Sequence, residues 1–278
     1  NSAQVPSGTS SSNMTYVHAQ NPGSVRITGD LFVGRSTRKD SYIKIQGITF
    51  TGGGQLYNTS YVTIKDCGFD GAFGIGTNDH NNGNTDNLIE DAWIWASGER
   101  IVASNYRADR NVWRRVVVRG DGCGTVSCTG SGNPNVGFTV YESADVSVQN
   151  MLVVDRILSA GDEPYADFAV AQHTVGYPFG RSEWLGTMSV NSEDAGYYME
   201  PDDALDPSIK ISNAAAINDP VGFNIARVDH NNELENLTAV INGSGDGVRV
   251  VTTNSSGTLV NALVTGIGRY GINSAYTP

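Results

Sequence analysis

The feature that most limits the fold is a repeat kept in two places at once. The residue that follows the apolar pair closing a short strand recurs as Gly47, Asp66, Asp91, Arg115, Asn150, Thr187, Asn213, Asn236 and Asn261, at steps of 19, 25, 24, 35, 37, 26, 23 and 25 residues. A second mark, a strand entered through glycine or a small residue, keeps pace in FGIGTN, ERIVASN, GFTVYES, DFAVAQH, GYYMEP, GFNIAR, GVRVVTT and YGINSA. Each repeat holds three short strands separated by turns, and no segment shows the 3.6-residue period of a helix. A strand of that length buries one face only, so it must stack on copies of itself. The expected fold is an all-β, single-domain right-handed parallel β-helix of about nine to ten coils, each rising about 4.8 Å. Asn and Asp at the first mark bond the local backbone and tolerate left-handed conformations, so stacked copies form a ladder along one edge.

Residues 1–39 read as a first coil and edge segment, and 40–278 as the remaining coils of the same continuous domain. The 33 glycines are unlike a helical bundle, and a net charge of −11 repels phosphate backbones, which excludes nucleic acid as a partner. No run approaches the roughly 18 apolar residues of a membrane-spanning helix, so no membrane insertion is expected. Cys123 and Cys128 share a Gly/Ser/Thr loop, where either a small disulfide, implying an oxidising compartment, or two free thiols fits; Cys67 falls at an inward strand position as a small core hydrophobe. In RNVWRRVVVR, residues 110–119, arginines alternate outward with inward valines and are expected to pair with Glu90 and Asp91.

Through the coil pattern over residues 40–278 the chain resembles the pectate-lyase, polygalacturonase and chondroitinase superfamily of right-handed β-helices. Residues 7–30 resemble the first coil of such proteins, which an earlier strand, a capping helix and a signal peptide usually precede; a processed or trimmed chain is therefore expected, secreted or at the cell surface. The last strand, GINSAYTP, lacks an amphipathic cap, so further residues or a head-to-tail or homo-oligomeric neighbour is expected against the C-terminal coil.

Side chains on the outside of the coils must carry function, because inward positions read Ile, Val, Phe and Leu. In the third strand of each repeat Ile75, Phe138, Tyr197, Phe223, Val248 and Ile272 are expected inward, and Gly76, Val102, Thr139, Ala169, Tyr198, Asn224, Arg249 and Asn273 outward. The resemblance implies that this sheet forms the substrate groove. The turns leading into it carry Asp162, Glu163, Glu193, Asp194, Asp219 and Asp246; stacked at about 4.8 Å, Glu193, Asp194, Asp219 and Asp246 form a candidate Ca²⁺ site, or are simply turn formers bonding local backbone. The layout resembles family-nine pectate lyases, which implies a base at the position of Arg249 in DGVRV, an uncomfortable base given the intrinsic pKa of arginine.

Long insertions mark the opposite margin, where His173, Tyr177, Phe179, Arg181, Glu183, Trp184, Glu200, Asp202, Asp203, Arg227, Asp229 and His230 gather in sequence. Aromatics beside carboxylates and arginines suit an acidic polysaccharide, and His173, Tyr177, Arg181, Trp184, Tyr198, Glu200, Asn224, Arg227 and His230 are candidate contacts. Asp202 and Asp203 could act as acid and base. A solvated loop held by ion pairs explains the same residues. Three functions stay open: a calcium-assisted polysaccharide lyase, a non-catalytic adhesin or filament subunit, and a glycoside hydrolase.

Overall fold

The computed structural model describes residues 5–77, 83–96, 101–120, 136–156, 165–171, 181–199, 209–225, 232–250, 257–266 and 268–274. Every strand pairing is parallel, and the chain forms a right-handed parallel β-helix. One coil shows the plan: Leu88–Glu90 forms a first leg, Trp93–Trp95 a second and Ile101–Tyr106 a third. Among the described residues the first and second legs join in one 18-stranded sheet, and the third legs form a 10-stranded sheet facing it.

The bend between first and second legs follows from backbone conformation. Asp66, Asp91, Arg115, Asn150, Asn213, Asn236 and Asn261 all have φ between 50° and 56°, and Gly47 has 75°. In one coil the bend is Gly186 (φ 67°) rather than Thr187; a Cβ on Gly186 would lie 2.4 Å from Asn150 Oδ1. Thr187 instead points inside, its hydroxyl accepting from Tyr197 OH at 3.0 Å.

Asn236 Nδ2 donates to Asn213 Oδ1 at 2.9 Å and Asn261 Nδ2 to Asn236 Oδ1 at 3.0 Å, which makes the expected ladder. A second ladder runs Asn218 to Asn191 to Asp155 where the second leg turns into the third. Asn236→Ala removes two ladder bonds and puts a Cβ-bearing residue without a local acceptor in the left-handed region, so it is expected to cost about 1–2 kcal/mol, and Asn236→Gly less. Urea denaturation of the two variants checks the order.

Inside, aromatic rings stack along the axis. Phe168 lies 4.9 Å from Tyr197, which lies 4.5 Å from Phe223, with interplanar angles of 7° and 17°. Full burial of each such side chain is worth about 1.5–3 kcal/mol. Cys67 is buried as expected; Cys123 and Cys128 lie outside the described residues. Arg114 and Arg115 pair with Glu90, and Arg115 Nε lies 2.5 Å from Asp91 Oδ1, as the sequence led one to expect.

Candidate functional site

Strand register fixes which side chains share the outer face of the third leg. Gly74, Ser104, Thr139, Ala169, Tyr198, Asn224, Arg249 and Asn273 are successive partners in one outward column. Gly76 and Val102 do not belong to it: Phe73, not Ile75, is the partner of Ala103 and through it of Phe138, and Val102 is buried. The inward column of Phe138, Tyr197, Phe223 and Val248 is as expected.

At the C-terminal end of the column one carboxylate organises three side chains. Asp246 is buried, and its Oδ2 accepts from Arg249 Nε at 2.9 Å, Asn273 Nδ2 at 2.8 Å and an Arg269 guanidinium nitrogen at 3.0 Å. Burial pushes this carboxyl up, but the bonds from Arg269, Asn273 and Arg249 outweigh it and hold the group at about 2. The result is a fixed anion under two guanidinium groups. Asn224 stands one coil below Arg249 and Tyr198 one coil below Asn224. Arg269 is absent from the sequence reading, although aligning GVRV with GINS puts it one residue before the partner of Asp246. Toward the N-terminal coils the same face opens into a depression of about 560 Å³ over Gly52, Gly53 and Gly54, lined by Phe32, Gln55 and Ser104.

The four acids proposed for calcium take separate places. Glu193 is exposed, Asp194 half-buried, and Asp246 is bound to its arginines. Asp219 points into the coil interior, where Oδ1 accepts from the Ser192 amide at 2.8 Å and Oδ2 lies 2.8 Å from Ser189 Oγ. Among the described residues no three acidic, histidine or cysteine side chains converge as a metal site, so these four do not fit a calcium ion. Asp162 and Glu163 lie outside the described residues.

On the opposite margin Trp184 is a correction. It is 2% exposed and packs against Phe168 at 5.7 Å and Tyr197 at 6.4 Å, because its partners Val148 and Ile211 are inward positions. It belongs to the core and offers no face to a ligand. Arg181 lies on the outer face of the first leg, 2.6 Å from Glu233 and 4.0 Å from Glu183, and Lys210 joins them. That part of the margin is a ladder of ion pairs. His173, Tyr177, Phe179, Glu200, Asp202, Asp203, Arg227, Asp229 and His230 lie outside the described residues.

The interior holds a polar cluster that the sequence reading missed. Arg156, Asp167, Ser189 and Asp219 are completely buried, with Arg156 Nε 2.9 Å from Asp167 Oδ1. Burial pushes Asp167 up to about 6 and Asp219, with Asp167 adding repulsion, to about 7. Asp194, above the cluster, is also raised by burial, against the pull of Arg156 and Arg249.

No protein-family model and no curated protein matches the sequence. Among solved structures the chain is similar to pectate lyase Pel9A, at 13% identity and a TM-score of 0.52, covering 94% of this chain and 64% of that one. It is also similar to the catalytic domain of a GH87 alpha-1,3-glucanase solved in complex with nigerose, at 12% identity and a TM-score of 0.46, covering 95% and 53%. The chain thus has the parallel β-helix fold of the pectate lyase and spans less than two thirds of the length of either relative.

Proposed function

We propose that this chain is the β-helix of a secreted carbohydrate-active enzyme that cleaves an acidic polysaccharide by β-elimination, with the outer face of the third leg as its binding surface. The observation that carries the reading is the pair of guanidinium groups, Arg249 and Arg269, set over the buried anion of Asp246 beside Asn273.

The Arg249 guanidinium is held by Nε on the ionised, buried Asp246, which fixes its position and leaves its terminal nitrogens as donors. That suits Arg249 to holding a sugar carboxylate rather than to accepting a proton. Neutralising the carboxylate stabilises the charge that builds up when the proton on the adjacent carbon leaves. That proton passes to a hydroxide ion from solvent, giving water; the C–O bond at the next carbon breaks, leaving a double bond in the sugar, and the departing oxygen takes a proton from water to become a hydroxyl, which regenerates the hydroxide. Tyr198 and Asn224 extend the Arg249 end of this face along the axis, while the depression by Phe32 and Gln55 lies at its other end, beyond the buried Thr139 and Ala169. The pectate lyase neighbour supports the reading through its fold.

The protein is expected to release unsaturated uronides from polygalacturonate or another acidic polysaccharide, seen as ultraviolet absorbance, and Arg249→Ala is expected to slow this about a hundredfold. Reducing ends formed without that absorbance would replace elimination by hydrolysis. No cleavage of any acidic polysaccharide would remove the enzymatic reading.

A further inference from the structure

The outer face of the second leg carries two tryptophans that the reading above leaves without a role. Trp93 and Trp95 flank buried Ile94 on one strand, so both point outward, about 7 Å apart along the strand. They are 39% and 44% exposed. Trp93 has an unusual seat: its partner one coil below is Gly68, and a Cβ there would lie 2.2 Å from Trp93 Cε2. Only glycine lets the indole lie flat across the strand below and turn its free face to solvent.

Ion pairs border the two rings in the coils on either side. The Arg119 guanidinium sits over the Trp95 ring, 5.9 Å from its centroid, so Trp95 offers only the part of its ring that this cation does not cover; Arg119 Nε is 3.5 Å from Asp155 Oδ2. In the coil below, Asp70 follows Phe69, the partner of Ile94, and is held by Arg26. Flat π-faces bordered by donors and acceptors of both signs match a pyranose ring, whose C–H face covers an indole while its hydroxyls reach the charged groups. An aliphatic protein surface would cover the rings and leave those charges unmatched, and desolvating them would cost free energy.

We infer that Trp93 and Trp95 form a glycan-stacking platform, a second polysaccharide-binding surface on a different face of the β-helix from the Arg249 site. It requires no catalysis and stands whether or not the chain cleaves what it binds.

The protein carries its own reporter. Of its four tryptophans, Trp113 and Trp184 are buried in the core, so acrylamide quenching of intrinsic fluorescence reads Trp93 and Trp95. Oligogalacturonate and a neutral xylo-oligosaccharide are the probes. Protection from quenching by either one supports the platform, and Arg249→Ala is expected to keep that protection, which separates this site from the third-leg surface. In affinity electrophoresis through the corresponding polysaccharide, Trp93→Ala and Gly68→Ala are each expected to weaken binding about tenfold, the second without removing a tryptophan. Absence of protection by both probes overturns the inference. So does wild-type retardation of both variants, or protection that grows with protein concentration in the absence of sugar, which would mean that a second copy covers the rings.

Discussion

Arg156→Leu is expected to lower the free energy of unfolding by about 3–5 kcal/mol, the cost of stranding a buried charge by removing its partner. Arg156 is fully buried, gives Nε to Asp167 Oδ1 and gives a terminal nitrogen to Ser192 Oγ at 2.7 Å. Asp167 occupies a position where the coils on either side, by register, have Gly137 and Gly196. A Cβ on Gly196 would lie 2.5 Å from Asp219 Oδ2, so this glycine makes room for the second acid. The leucine variant leaves Asp167 without a cation and next to Asp219. The double variant Arg156→Leu, Asp167→Asn removes both charges and is expected to recover most of the loss, since replacing both members of a buried pair is often near neutral. Urea denaturation of the two single variants and the double variant gives the coupling directly. Additive losses would mean that the two side chains do not act as a pair.

The repeat was legible because two kinds of signal coincide at the bend. Asn213, Asn236 and Asn261 are a recurring residue type and also the residues that accept positive φ without glycine, so sequence spacing and backbone conformation agree. At Gly186 the bend falls on a glycine followed by a polar Thr187, and the reading slips by one to the threonine, whereas at Gly47 the glycine itself carries the mark. The third-leg column slipped for a related reason. In the coil of residues 101–106 the position filled elsewhere by Gly137, Gly196 and Gly222 is Val102, so the cue of entry through glycine is lost.

Trp184 was misplaced by its polar neighbours, although counting from Val148 and Ile211 would have turned it inward. The Asp246 cluster was half visible: the acid and Arg249 lie three residues apart, but Arg269 joins them only through stacking. The interior cluster was not legible, because Asp167, one residue into its strand, reads as a turn residue until register places it beside Ser189 and Arg156.

Stability is expected to fall between about pH 4 and pH 7, and hydrogen-bond bookkeeping shows why. Ser189 Oγ lies 2.8 Å from Asp167 Oδ2 and 2.8 Å from Asp219 Oδ2, yet a hydroxyl has one hydrogen to give. One carboxyl must therefore be protonated and donate to Ser189. Asp167 has Arg156 as its counter-ion, so the proton belongs on Asp219, in line with its being raised to about 7 from the usual 3.8. A folded-state pKa above the unfolded one means that the folded chain binds more protons. The stability this gives is complete below 3.8 and is lost as pH rises to about 7, at up to about 1.4 kcal/mol per pH unit for each group. Asp91 and Asp246, both held at about 2, work in the other direction: their stability is present above 3.8 and lost as pH falls toward 2. The urea midpoint should therefore peak near pH 4, decline to about pH 7 and then level off. Asp219→Asn can donate its amide to Ser189 and accept from the Ser192 amide with no proton to lose, so its decline should be shallower and it should exceed wild type above neutrality. An equal decline in the variant would assign the pH dependence to the accumulating negative charge of the whole chain instead.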